Sequence, residues 1–272
     1  MLTCAVSHLR FDYMSAESVP VRPRRPVRTA TVVRTEAIAL DMVRVVLTGE
    51  SLREIDDLTL TDHYVKLKFG DAMRAYTIRS FDRSVNELAI DFVVHGDQGL
   101  AGPWAVAAQR GDEVSFVGPG GDWKPAADAD VHLFVGDESA IPAIAVGLES
   151  LPRSAPAIVF LEVASPAHHQ PMPRTDNTTI TWVHRDDTGL GYGEALTAAV
   201  RAADFPAGVV AAFVHGNADM VKPLRRYLFN ERGMDRSRVS ISGYWRTGLS
   251  DEAWRAMKRE FTAQMDAEES AN

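Results

Sequence analysis

Six consecutive residues, Arg74-Ala75-Tyr76-Thr77-Ile78-Arg79, carry groups that an ordinary strand does not need. Arginine is costly to bury unless it meets an anion, and its planar fork matches phosphate oxygens two at a time. Tyr76 offers a flat face to a heterocycle, and Thr77 a short donor and acceptor to a ring nitrogen. A flat ring joined to a pyrophosphate calls for this set, so the stretch reads as a site for a flavin dinucleotide. The plainer alternative is a strand whose two arginines form surface salt bridges.

Three other groups are weighed with it. Gly136-Asp137-Glu138-Ser139 leads from a strand into a helix, where free amides and the helix dipole favour a phosphate. It lacks the glycine spacing of a dinucleotide fingerprint, and Ser139 is equally suited to capping the helix. Tyr244-Trp245-Arg246 follows the last strand and either reaches back toward a flavin edge or completes strand-end packing. His168-His169 sits among prolines with no third ligand at metal spacing, so a solvated loop is expected there and no protein metal site.

These groups need elements to hold them. The front half reads as antiparallel β: Thr31 to Val33, the alternation of Val43, Val45 and Leu47, then Tyr64-Val65-Lys66-Leu67-Lys68-Phe69 with the lysines on one face. Ala75 to Ser80, Leu88 to Val94 and Glu113 to Val117 add strands, which together predict a small sandwich or barrel. The pattern changes near residue 130. Val131 to Val135 is the continuous apolar run of a doubly covered parallel strand. Helical stretches at 140–151, 194–203, 219–230 and 251–268 then alternate with strands at 157–163, 179–183, 209–214 and 239–242. That alternation predicts a parallel α/β sheet of the nucleotide-binding kind. The chain thus divides into an arm over 1–24, a β domain over 25–125 and an α/β domain over 126–272, with 122–130 as linker.

Composition bounds the rest. At 272 residues, with 46% hydrophobic and 24% charged residues, the chain is of a size for two globular domains. A net charge of −8 argues against non-specific nucleic-acid binding. Arg22, Arg24, Arg25 and Arg28 read as a solvated tail. The lone Cys4 permits no internal disulfide. No apolar run approaches the roughly 20 residues of a membrane span, and no secretory leader is evident. A reducing, cytoplasmic setting is expected.

Four signatures in order carry a resemblance: Arg74-Ala-Tyr-Thr-Ile-Arg79, Asp91-Phe-Val-Val-His95-Gly96 running on to Trp104, Gly136-Asp-Glu-Ser-Ala-Ile-Pro-Ala-Ile144, and Ser242-Gly-Tyr-Trp-Arg-Thr-Gly248. The chain resembles the siderophore-interacting proteins, the ferric-siderophore reductase branch of the ferredoxin–NADP reductase superfamily. The resemblance implies an FAD-binding β-barrel, a domain shaped for NADPH or NADH, and reduction of ferric siderophores to release Fe(II). Carried over, Arg74 faces the FAD pyrophosphate, Tyr76 stacks on the isoalloxazine and Thr77 bonds near its reactive nitrogen. Ile78, Arg79, Val94, His95, Gly99, Ala101, Trp104 and Trp245 complete the cofactor contacts. His95 is otherwise a turn histidine, and Trp104 is as much core as cofactor wall. Gly99-Leu100-Ala101-Gly102 lacks the hydroxyl of the usual family turn, so a phosphate there meets backbone. Gly136, Asp137, Glu138, Ser139, Ala140 and Asn217 form the implied nucleotide site, Asn217 standing where the family often has a carboxylate. Lys66, Lys68, Lys124 and Arg246 are the expected basic contacts to an anionic ferric siderophore. The redox chemistry is the cofactor's, so no catalytic side chain is expected. Three alternatives stay open: a ferredoxin as electron donor, a flavin-containing siderophore-binding module without turnover, and a general flavin reductase that takes free flavin as substrate.

Overall fold

The computed structural model describes residues 26–94 and 99–270. The front half closes into a six-stranded antiparallel barrel from β1 (Val27–Ala39), β2 (Met42–Thr48), β3 (Tyr64–Phe69), β4 (Ala72–Asp82), β5 (Glu87–Val93) and β6 (Glu113–Gly120), in the order β1-β2-β5-β4-β3-β6. Alternation decides which side chains go inside. Val45, Leu47, Val65, Leu67, Leu88, Ile90, Phe92 and Phe116 fill the barrel and are fully buried. Burying each large apolar side chain is worth about 1.5–3 kcal/mol. The lysines of β3 fall on the other face, as their alternation requires.

The back half is a five-stranded parallel sheet in the order β11-β10-β7-β8-β9. Its strands are β7 (Val131–Asp137), β8 (Pro156–Val163), β9 (Asn177–His184), β10 (Val210–Asn217) and β11 (Val239–Trp245). The strand order reverses beside β7, between β8 on one side and β10 on the other. A crevice opens there, at the carboxyl ends, as in doubly wound sheets. Helices α2 (Ile141–Glu149), α4 (Glu194–Ala202), α5 (Ala218–Arg226) and α6 (Asp251–Ser270) cover the sheet, with a single turn α3 (Arg185–Thr188) after β9. Pro142 occupies the first turn of α2, where its missing N–H is harmless.

Three expectations need correction. The segment Gly99 to Trp104, expected as a turn, runs into a short helix α1 (Ala101–Ala107), which buries Ala101 and Ala105 against the barrel. Pro103 suits a first turn and the alanines a close approach. His215-Gly216-Asn217, expected after the strand, is the last part of β10, and Tyr244 and Trp245 lie within β11. Within the 122–130 linker, Trp123 meets Phe213 at a tilt (centroids 4.6 Å) and Phe134 edge-on (6.0 Å).

Barrel and sheet are tied directly. Arg79 on β4 makes a bidentate pair with Glu149 at the end of α2 (2.9 and 2.6 Å). Arg74 on the same strand reaches the start of α6, bonding Glu252 Oε1 at 2.6 Å and Asp251 Oδ2 at 3.4 Å.

Candidate functional site

A cavity of about 700 Å³ lies between barrel and sheet, within the size range of small-molecule and cofactor pockets. The barrel contributes Tyr64, Lys66, Arg74, Tyr76 and Thr77, and the sheet contributes Glu138, Ser139, His215, Tyr244 and Trp245. The register explains the barrel wall: Lys66 pairs with Ala75 and Tyr64 with Thr77, so β3 and β4 present these positions together. Tyr76 rests on Phe92 with ring centroids 4.4 Å apart, and burial pushes its phenol up to about 12. It is a neutral, fixed aromatic surface at the cavity wall.

The third wall is α6. Asp251, Trp254, Arg255 and Lys258 recur at i, i+3, i+4 and i+7 and line the cavity as one helical face. This face was legible as a periodicity, and it places two basic residues that sequence reasoning did not nominate. Lys258 Nζ donates to Ser242 Oγ at 2.9 Å, and burial lowers its pKa from the ordinary lysine value. Neither Lys66 nor Lys258 has a carboxylate partner among the described residues, whereas Arg255 pairs with Asp251 and donates to the Met73 carbonyl. Two cavity-facing ammonium groups without a counter-ion suit an anionic ligand.

His215, Ser240, Ser242 and Tyr244 form the floor. His215 lies flat on Phe213 (3.8 Å between centroids), its Nε2 is 2.9 Å from Ser240 Oγ, and its buried Nδ1 has no partner among the described residues. Burial, then the nearby Lys258 charge, holds its pKa down at about 3, so the ring is neutral. Burial likewise raises the Tyr244 phenol well above its ordinary value.

The loop after β7, expected to meet a nucleotide phosphate, is built differently from expectation. Asp137 is a buried hub: Oδ1 accepts from the amide (2.9 Å) and hydroxyl (2.5 Å) of Ser139, and Oδ2 accepts from Asn217 N–H (2.7 Å) and Trp245 Nε1–H (2.8 Å). Ser139 therefore serves the Asp137 turn and does not cap α2. The Ala140 amide donates to the Asp137 carbonyl, and Gly136 is enclosed by Ala140 and the His215 carbonyl. Asn217 caps α5 by accepting from Asp219 N–H at 2.8 Å while its Nδ2 donates to Thr247 Oγ1 at 2.8 Å. Gly136, Asp137, Ala140 and Asn217 are thus committed to the frame, and Glu138 and Ser139 are the loop residues at the cavity. Glu138 is itself ion-paired with Arg185 Nη1 (3.1 Å) and Nη2.

Of the other expected contacts, Arg79 is the clamp on Glu149, Ile78 is core, and Val94 donates its amide to the Asp41 carbonyl at 2.8 Å. His95 lies outside the described residues. Gly99, at φ +83°, precedes α1, and Ala101 is buried under it. Trp104 stands against Phe92 (5.6 Å) and Phe69 (5.7 Å) and lines, with Lys68, a separate depression of about 430 Å³ beside β6. Lys68, Lys124 and Arg246 do not line the large cavity. Arg246 bonds Asp219 of α5 at 3.0 Å and lies over the Phe261 ring of α6. His169 is not free in solvent: it stacks on Trp182 (4.2 Å) and bonds His184.

The N-terminal part of this arrangement, residues 70–123, matches the family model described as the siderophore-interacting FAD-binding domain, and residues 129–248 match the model of the siderophore-interacting protein. The chain is 32% identical over 246 residues to the ferric vibriobactin reductase ViuB of Vibrio cholerae, covering 82% of this chain and 90% of that one. The chain belongs to the siderophore-interacting protein family. It is also 31% identical over 253 residues to the NADPH-dependent ferric-chelate reductase of Escherichia coli, covering 83% and 96% of the two chains. The siderophore-interacting protein SipS of Aeromonas hydrophila superposes with a TM-score of 0.77 at 26% identity, covering 89% of this chain and all of that one. The β-barrel is accordingly an FAD-binding domain. The residues present fit that group: an aromatic wall at Tyr76, a hydroxyl at Thr77, a guanidinium at Arg74 and an orphaned polar atom at His215 Nδ1. Among the described residues no helix is long and apolar enough to cross a membrane.

Proposed function

We propose that this protein is an FAD-dependent ferric-siderophore reductase supplied with electrons by NADPH or NADH, acting in the cytoplasm. The observation that carries this reading is the shared cavity, in which the flavin-type residues of β4 face the switch-point loop of the α/β domain across one space. FAD, when bound, would supply redox chemistry that links a two-electron nicotinamide donor to a one-electron ferric acceptor. The chain's own groups do the rest. Tyr76 and Thr77 orient the ring, and Arg74, now on Asp251 and Glu252, is the cation within reach for the pyrophosphate. Lys66 and Lys258, which have no carboxylate partner among the described residues, are the cations that an anionic ferric catecholate would meet in a cavity also lined by Asp62, Asp91, Asp122, Glu138 and Asp251. Names of the relatives, two of them ferric reductases, support the same reaction class.

A second reading, a ferredoxin or other redox protein as donor, is favoured by the internal commitment of Asp137, Ala140 and Asn217. One anaerobic experiment separates them. Bleaching of the flavin by NADPH or NADH, followed by trapped Fe(II) on adding a ferric catecholate, supports the reductase with a nucleotide donor. A flavin that stays oxidised with both nucleotides but turns over with reduced ferredoxin supports the second reading. Turnover with neither sinks both and leaves a binding module.

A further inference from the structure

At the carboxyl ends of β7, β8 and β9 lies a buried ionic group with one cation and two carboxylates. The Arg185 side chain, 11% exposed, bonds Glu138 through both terminal nitrogens and reaches Glu162 Oε1 at 3.4 Å. The ring of Tyr192 lies against the guanidinium at 4.3 Å, which fixes the plane of the fork and leaves its edges free to change partner. The two carboxylates are not equivalent. Glu162, fully buried, also accepts from the amides of Gly193 (3.0 and 3.2 Å) and Leu196 (3.3 Å), so it stays satisfied without Arg185. Glu138 draws its hydrogen bonds from other side chains through Arg185. It also sits on the switch-point loop and lines the cavity, where a nucleotide phosphate would have to approach a carboxylate.

We propose that Arg185 exchanges Glu138 for a phosphate oxygen of the donor nucleotide, and that Glu138 takes up one proton as it is released. The charges balance: a guanidinium–carboxylate pair becomes a guanidinium–phosphate pair, and the buried carboxylate leaves as a neutral acid. Burial already pushes Glu138 up to about 7, against the pull of Arg185. Losing that partner pushes it further in the same direction. The other charged groups around it reinforce this. Asp137, from the same loop, and Glu162, from β8, are both negative, and α3 contributes Arg185 as the cation, with the exposed Asp186 and Asp187 behind it. Donor binding is therefore proton-linked: affinity falls as pH rises above about 7, by up to tenfold per unit.

This rests on the nucleotide-donor reading and is tested on the full chain loaded with FAD. NAD⁺ and NADP⁺ are titrated between pH 6.5 and 8.5, and calorimetry at pH 7.5 in buffers of different ionisation heat counts protons. The expected result is an affinity loss of about tenfold or more from pH 7 to 8.5 with up to one proton taken up. Glu138→Gln should flatten the profile and bind more tightly than wild type at pH 8.5. The effect with both nucleotides assigns the pyrophosphate as the partner, and with NADP⁺ alone the 2′-phosphate; either supports the exchange. Nucleotide binding in wild type with no proton uptake and a flat profile overturns it while leaving the donor reading intact. No binding of either nucleotide to FAD-loaded protein overturns both.

Discussion

Arg74 and Arg79 are five residues apart on one strand and do different work. Arg74 lines the cavity and is held by two carboxylates of α6, whereas Arg79 points to Glu149 on α2. Arg74→Ala should weaken FAD retention by about tenfold to a hundredfold, the loss of a charge-assisted phosphate contact of roughly 1.5–3 kcal/mol. The dissociation constant measured by recovery of free-FAD fluorescence checks it, and a wild-type value removes Arg74 from the site. His215 gives a second prediction, in pH. Its folded pKa of about 3 lies below the ordinary 6.5, so between those values the unfolded chain binds the extra proton. Its contribution is then fully present above about pH 6.5 and lost as pH falls toward 3. Glu138, raised to about 7, acts in the opposite sense, since its protonated native form makes stability fall as pH rises from its ordinary 4.5. The comparison with His215→Gln isolates the histidine: the stability gap between wild type and variant, by urea unfolding, should widen from pH 4.5 to 7. Arg74, Tyr76 and Thr77, which line the cavity, were legible because their chemistry is odd for a strand. His215 and Lys258 were not nominated as site residues, because a histidine in an apolar strand and a lysine near the chain end have ordinary readings until the fold brings them to a cavity.

At the level of elements, strands were readable wherever one face is buried, as in β3, where Val65 and Leu67 point in and the lysines out. Helix α1 was not, because Gly99, Gly102 and Pro103 are turn residues by composition. The end of β10 was misplaced for a related reason: Gly216-Asn217 looks like a turn, yet the glycine serves a close approach. It sits at φ +140°, and a Cβ there would lie 2.7 Å from the Asp137 carboxylate carbon. Gly216→Ala should thus destabilise by about 2 kcal/mol or more, combining backbone strain with disruption of the Asp137 hub. A midpoint shift in denaturant at constant slope is the measurement, and an unchanged midpoint would show that the hub can relax. The Arg79–Glu149 pair joins β4 to α2, and because Glu149 is 46% exposed, screening limits it to about 0.5–1 kcal/mol. Arg79→Gln should lower stability by that amount and leave FAD affinity within about twofold. A loss as large as that of Arg74→Ala would return Arg79 to the cofactor.

The whole molecule is a barrel and a sheet that share one large space, with α6 returning from the end of the sheet to the barrel. Arg255 donates to the Met73 carbonyl of β4, Arg74 answers from the barrel, and further along α6 Lys222 and Arg225 of α5 hold Glu268 and Asp266. A ligand seated in that space touches three walls, two of which belong to the α/β half. FAD should therefore stabilise the molecule as one unit, beyond the barrel whose motif names it. At FAD concentrations of about 100 times its dissociation constant, mass action alone adds about 2.7 kcal/mol. For a chain of this size that corresponds to a rise of roughly 5–10 °C in melting temperature. The decisive feature is the number of transitions, followed by tryptophan fluorescence. Trp104 reports the barrel, whereas Trp123, Trp182 and Trp254 report the sheet and α6. If the cavity is built as described, both sets shift together as FAD is added. A barrel signal that moves while the sheet signal stays would mean that FAD contacts β4 alone, and that the residues of β11 and α6 face some other occupant of the same space.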